Sequence, residues 1–279
     1  MEKFLEKKGC GILMEKMSLL QKNIIKKRQS KGILLMSHAV LGYPSFAFNH
    51  ELVNTLVSTN VDIVELQFPF SDPMADGPVL SKANQSSLEN GTTIEQCFAE
   101  AQKITQKFAN TAFVIMTYYN IIYSYGKENF LKKAASVGIQ GIIIPDLPPD
   151  EAEAHEYCVL ADKYDVAPIF LCTPFSSKQR LEYIAKQSRG LIYCVARHGT
   201  TGRHTKFGTE FETYITNVRS TFNLPIGVGF GVQSPEDVEY LKNTGVDIAI
   251  ICSHVIKMSM EKGLDEVKTY FTEINASTK

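Results

Sequence analysis

The chain has 279 residues, with 29 Lys plus Arg against 30 Asp plus Glu and a net charge of −1 at pH 7. That balance supplies no basic field to recruit nucleic acid, so a small anionic substrate has to be held by local donors. Apolar residues make up 44% and charged residues 21%, the profile of a soluble globular protein, and no stretch approaches a membrane span.

Taken in chain order, the residues before about Lys16 read as a mobile N-terminal extension, with Met14 and Met17 as alternative starts. The lysine-rich segment around Gly9 to Met14 lacks the apolar run and small-residue cleavage site of a signal peptide, so a cytoplasmic protein is expected. Gln21 to Arg28 reads as a basic helix ahead of the first strand, placed to cover the bottom of the fold. The first β-rich run is Gly32 to Val40, the second Ile63 to Leu66. Thr93 to Phe108 alternates charged and apolar residues at helical spacing, and the third run, Ala112 to Tyr118, follows it. Lys127 to Val137 is the next helix, ended by Gly138 in the manner of an αL cap, and the fourth run is Gly141 to Pro145. Pro149-Asp150-Glu151 opens a helix to Tyr164, followed by the fifth run, Ala167 to Leu171. Ser177 to Gln187 is helical, and Leu191 to Val195 is the sixth run. Pro225 to Val228 is the seventh. Ser234-Pro235-Glu236-Asp237 then places a cap, an N1 proline and two acids in order for a helix to Asn243, ended by Thr244-Gly245. Ile248 to Ile251 completes the set of eight.

Each run is short and nearly continuously apolar, as parallel strands buried on both faces are. Eight βα units in one uninterrupted chain predict an α/β fold, a parallel eight-stranded (β/α)8 TIM barrel with an N-terminal helix before strand one, as a single domain over residues 1–279. An open doubly wound sheet is the alternative, but Val40-Leu-Gly-Tyr-Pro44 is not the glycine-rich phosphate turn such a sheet carries. The six cysteines (Cys10, Cys97, Cys158, Cys172, Cys194, Cys252) are scattered without a C-x-x-C pair and read as reduced, mostly buried thiols. The histidines show no zinc spacing.

Reactive groups of a barrel stand at the C-terminal ends of its strands. Glu65 breaks the second apolar run, and an ionised carboxylate in a buried strand is costly. Such a group either pairs with a nearby Arg or Lys or serves as an acid–base residue near neutral pH. The loop after it, Phe68 to Pro78, contains three prolines and two acids, so it is pre-organised and brings a second carboxylate, Asp76, near the first. Two carboxylates in different surroundings can hold different protonation states and divide the labour.

The segment Glu65 to Pro78, E-L-Q-F-P-F-S-D-P-M-A-D-G-P, closely resembles the signature of the tryptophan synthase α-subunit family, E-L-G-[VF]-P-F-S-D-P-x-A-D-G-P, with Gln67 where the family has glycine. Met116 to Asn120 with Tyr125-Gly126, Ile144 to Pro149, Gly190 to Tyr193 with Arg197 to Gly202, and Gly227 to Gly231 resemble it in order and spacing, so the likeness runs from roughly Lys16 to the end. The resemblance implies a carbon–carbon lyase that splits indole-3-glycerol phosphate by retro-aldol cleavage into indole and glyceraldehyde 3-phosphate. It implies Glu65 as the general acid–base group, Asp76 as the acceptor of the indole N–H, and Tyr193 as a site tyrosine. Thr201, in the loop Gly199 to Gly202, would close over the substrate, and its phosphate would sit on Gly229, Phe230, Gly231 and Ser253. No metal or organic cofactor is implied in this chain. The implied partner is a pyridoxal-phosphate (PLP) β subunit in an α2β2 heterotetramer, which would receive the indole. Departures from the family pattern are Gln67, Tyr43 in place of aspartate, His198 in place of alanine, and Cys252, whose Cβ would disfavour a positive-φ glycine conformation. His198 and His204 read as solvent-facing. A stand-alone indole-releasing lyase, a weakened chain that activates its β partner allosterically, and another phosphate-binding barrel are the other readings.

Overall fold

The computed structural model describes residues 17–196, 208–229 and 231–279. Its strands are β1 (Leu34–Val40), β2 (Ile63–Gln67), β3 (Ala112–Met116), β4 (Gly141–Ile143), β5 (Ala167–Ile169), β6 (Leu171–Cys172), β7 (Ile192–Val195), β8 (Ile226–Gly229) and β9 (Ile248–Ile251). All ladders are parallel, and the nine strands run in the order β5-β4-β3-β2-β1-β9-β8-β7-β6. The two ends of that order are one strand, because only Phe170 separates β5 from β6. Its first half pairs with β4 and its second half with β7, and the Tyr193 N–H donates to the Phe170 carbonyl at 3.2 Å. The ring is therefore closed and holds the eight strands expected, each staggered against the next as barrel closure requires.

Alternation along the strands sorts side chains into two shells. Leu34, Met36, Ile63, Val114, Ile143, Ile169, Tyr193 and Ile250 fill the barrel interior, whereas Leu35, Val64, Leu66, Ile115 and Ile142 pack outward under the helices. His38, Glu65 and Gln67 continue the inward series, so the same period of two that builds the core aims three polar groups at the barrel's upper end.

The N-terminal helix, Leu19–Arg28, is capped by the Ser18 hydroxyl, which accepts from the Gln21 N–H. It sends Leu20 and Ile24 into the inner shell from below. A Cβ built on Gly141 or Gly190 would stand 3.0 and 2.8 Å from a Leu20 methyl, so these two glycines make room for the plug. Leu20→Ala is expected to cost about 2–5 kcal/mol of stability, since the rigid strand ends cannot collapse on the cavity. Urea unfolding monitored by circular dichroism measures it, and a loss under about 0.5 kcal/mol would remove the plug from the core.

The helices expected from periodicity are present as Ile94–Lys107, Lys127–Ser136, Ala152–Lys163, Lys178–Gln187 and Pro235–Asn243. Gly138 and Gly245 end their helices with φ of 83° and 84°. Helices Phe46–Ser58, Pro78–Glu89, Tyr119–Tyr125, Thr209–Thr221, Ser253–Glu261 and Leu264–Ala276 add to that set. The third and fourth strands end earlier than their apolar runs do, because Tyr118 turns out of the ladder as the N-cap of Tyr119–Tyr125 and Pro145 lacks an N–H to donate. Among the described residues no helix is long and apolar enough to cross a membrane.

Candidate active site

The β1–β2 register sets His38 opposite Glu65 and Val40 opposite Gln67. Both charged side chains are almost wholly buried, at 1% and 4% exposed. His38 Nδ1 lies 2.8 Å from Glu65 Oε1, and His38 Nε2 lies 2.8 Å from Gln67 Oε1. The partner of the buried Glu65 is thus a histidine, not the Arg or Lys that sequence left open. Burial works to lower the His38 pKa, but the charge and hydrogen bond of Glu65 outweigh it and hold the imidazole above its ordinary value. Glu65 Oε2 is buried without a hydrogen-bond partner among the described residues. It borders a cavity lined also by Ala75, Asp76, Met116, Ile143, Leu171 and Tyr193.

The loop from Phe68 to Pro78 is held by a few directed bonds. The Phe70 N–H donates to Asn84 Oδ1 at 2.9 Å, the Ala75 N–H to the Tyr118 hydroxyl at 3.2 Å, and the Asp76 N–H to the Pro73 carbonyl at 2.9 Å. Phe70 stacks on Tyr118 with ring centres 5.1 Å apart. These contacts fold Asp76 inward, where its Oδ2 accepts from Gln67 Nε2 at 2.7 Å and from Asn84 Nδ2 at 3.3 Å. The Tyr118 hydroxyl donates to the same carboxylate. Burial pushes the Asp76 pKa up, against the Gln67 hydrogen bond and the charge on His38, which both favour the ionised form. The two carboxylates therefore differ in kind: Glu65 rests on a base and keeps one oxygen unbonded, while Asp76 rests on amide and phenol donors.

Tyr193 ends up beside this pair, 6% exposed, with its hydroxyl hydrogen-bonded to Cys252. Gly229 makes room for it, since a Cβ there would stand 2.3 Å from the Tyr193 oxygen. Gly229→Ala is expected to displace the ring and lower turnover by about tenfold to a hundredfold while leaving the circular dichroism spectrum unchanged. Wild-type turnover in that variant would show that the ring's position is immaterial.

Gly231 takes φ of 99°, a conformation that favours glycine, at the end of β8. Ser253 opens the helix Ser253–Glu261 after β9, whose Cys252 N-cap gives no side-chain cap bond. Cys252 adopts φ −110°. The conflict expected between its Cβ and a positive φ does not arise, because φ here is negative. Tyr43 is half-buried against the outer core. Thr201, Gly202, Phe230, His198, His204 and Cys10 lie outside the described residues. The described cysteines are free thiols, four of them buried. His38, Glu65 and Cys252 offer ligand atoms within 4.8 Å of one another, yet both imidazole nitrogens already serve hydrogen bonds.

Three residues of the site carried no weight in the sequence reading: His38, Asn84 and Tyr118. His38 did carry a signal, a titratable side chain inside an apolar run, the same anomaly that exposed Glu65. Asn84 lies in a helix that periodicity did not mark, and Tyr118 looked like one more strand aromatic.

The family described as "Tryptophan synthase alpha chain" matches residues 24–279. The chain belongs to that family. A relative of that name from Desulfotalea psychrophila is 45% identical over 244 residues, 88% of this chain and 94% of its own. Another from Desulforapulum autotrophicum is 41% identical over 256 residues, 92% of this chain and all of its own. Among solved structures, a chain of Mycobacterium tuberculosis tryptophan synthase superposes with a TM-score of 0.84 at 28% identity, covering 94% of this chain and 98% of that one. A chain of the tryptophan synthase α2β2 complex of Pyrococcus furiosus superposes with a TM-score of 0.80 at 28% identity, covering 88% and 98%. Membership of the tryptophan synthase alpha chain family makes this a lyase of tryptophan biosynthesis on a (β/α)8 barrel, as the resemblance of its loop signature had implied.

Proposed function

We propose that the chain is the α subunit of a cytoplasmic tryptophan synthase, a single-domain protein that converts indole-3-glycerol phosphate to indole and glyceraldehyde 3-phosphate. The observation that carries this reading is a pair of inequivalent buried carboxylates at one cavity with apolar walls. Met116, Ile143 and Leu171 suit a flat aromatic ring, and Glu65 and Asp76 border the same space. Protonated Glu65 would deliver its proton to C3 of the indole, which becomes an iminium-like cation. Asp76, held ionised by its donors, would accept the indole N–H and stabilise that cation. Glu65, now a carboxylate, would take the proton of the glycerol hydroxyl. The bond from C3 to the glycerol chain then breaks, its electron pair restores the aromatic ring, and an aldehyde leaves.

Tyr193 packs where it can position the ring beside both carboxylates. The phosphate is assigned to the backbone N–H groups after β8 and β9, which pair side by side and are followed by Gly231 and Ser253, together with Phe230. Thr201 and Gly202 are assigned to a loop that closes over bound substrate and excludes water. The chemistry so drawn uses no cofactor in this chain. The partner is a PLP-dependent β subunit that takes up the indole, in an α2β2 assembly like the one named for the Pyrococcus furiosus relative. Retention of both carboxylates favours the lyase over a chain kept only as an allosteric activator.

Indole release from indole-3-glycerol phosphate, with and without a tryptophan synthase β subunit, tests the reading. Slow release that rises strongly with the β subunit is the expected result. Fast release without it would instead mark a stand-alone lyase, and none under either condition a non-catalytic partner.

A further inference from the structure

We infer that His38 and Gln67 form a proton relay behind Glu65, in which His38 stores the proton that Glu65 uses and Gln67 ties its tautomer to the charge of Asp76. The inference rests on the assignment of Glu65 and Asp76 made above.

The direction of the hydrogen bonds follows from counting donors. Asp76 receives Gln67 Nε2, Asn84 Nδ2 and the Tyr118 hydroxyl, so it acts as an ionised acceptor. Gln67 must therefore turn its NH2 toward Asp76 and its carbonyl toward His38. A carbonyl oxygen can only accept, so His38 Nε2 carries a hydrogen. His38 Nδ1 then faces Glu65 Oε1 at 2.8 Å with one proton to be shared between them. That leaves Glu65 Oε2, buried and unbonded on a residue that lines the cavity, as the oxygen offered to substrate. The titratable groups around the pair are Asp76, Tyr118, Tyr193 and Cys252, and among the described residues neither carboxylate forms an ion pair with a lysine or arginine. Gln67 stands where the family signature has glycine, which has no side chain to make this bridge.

The step balances without any co-reactant. With His38 an imidazolium and Glu65 protonated on Oε2, the Nδ1–H bond breaks as Oε1–H forms, and the Oε2–H bond breaks as its proton goes to C3 of the indole. When the glycerol hydroxyl gives its proton to Oε2, the Oε1 proton returns to Nδ1, and the imidazolium beside the protonated carboxyl is restored. His38 never touches the substrate; it is a positioning and proton-storing residue acting through Glu65.

The test uses the full chain with a tryptophan synthase β subunit and compares His38→Gln, His38→Phe, Gln67→Gly and Glu65→Gln. His38→Gln can keep both hydrogen bonds but cannot carry a proton. Both His38 variants are expected to lose about a hundredfold in kcat with KM little changed, and to lose the wild-type pH dependence of kcat. Nitrogen-15 NMR of the labelled imidazole in the wild type should show Nε2 protonated, and Gln67→Gly should release that preference. Full rescue of kcat and of its pH profile by His38→Gln would reduce His38 to a structural part and overturn the relay, as would an imidazole bare at Nε2. The NMR result decides the matter even where a His38 variant fails to fold. Turnover retained by Glu65→Gln would instead overturn the Glu65 assignment, and the relay with it.

Discussion

Glu65→Gln lowers kcat for indole release by about a thousandfold or more and changes substrate affinity little, the size expected when the one general acid–base group of a proton-transfer reaction is removed. In the proposed mechanism both proton transfers of the cleavage pass through this carboxyl, and an amide of the same shape can perform neither. The substitution is a mild one for the fold. The glutamine amide fills the same volume beside His38, and the buried site gains no charge. Indole release under saturating substrate gives kcat, and equilibrium binding of glycerol phosphate with unchanged circular dichroism shows that the site still forms. A kcat within tenfold of wild type would take the proton chemistry away from Glu65.

Asp76→Asn is expected to lower kcat by about a hundredfold or more, roughly 3 kcal/mol of barrier. In the proposed mechanism Asp76 acts as a charge facing a cation that exists only after C3 is protonated, so its effect falls on the transition state and not on ground-state binding. Asparagine keeps an oxygen to accept from Gln67, Asn84 or Tyr118, and the loop remains held by the Phe70–Asn84 bond and the Phe70–Tyr118 stack. KM should accordingly move much less than kcat. A fall of less than threefold in kcat would leave electrostatic stabilisation by Asp76 without support.

These expectations depend on surroundings that the sequence showed only in part. Glu65 and Asp76 were legible because each breaks a rule: a carboxylate inside an apolar strand, and an acid in a proline-stiffened loop directly after it. Tyr193 was legible from its place at the end of a strand and its resemblance to the family pattern. Gln67 stood out only as a departure, and nothing along the chain said what its amide meets. Cys252 was legible as a side chain that disfavours a positive φ, and the backbone there takes a negative one.

The closed barrel itself was written locally. Eight short, nearly continuous apolar runs, separated by helical spacing with caps and glycine stops, are short-range patterns that each segment expresses on its own. What only the tertiary structure decided is which polar groups meet. His38 and Glu65 are 27 positions apart, and their contact exists because β1 and β2 pair in one register; a shift of one residue would turn His38 to the outer face. The donors around Asp76 come from β2, from the helix Pro78–Glu89 and from the end of β3, and they converge only once the ring has closed. Residue types and spacing therefore determined the architecture and the two carboxylates, while the partners those carboxylates bond to were decided by strand register, which depends on long-range packing.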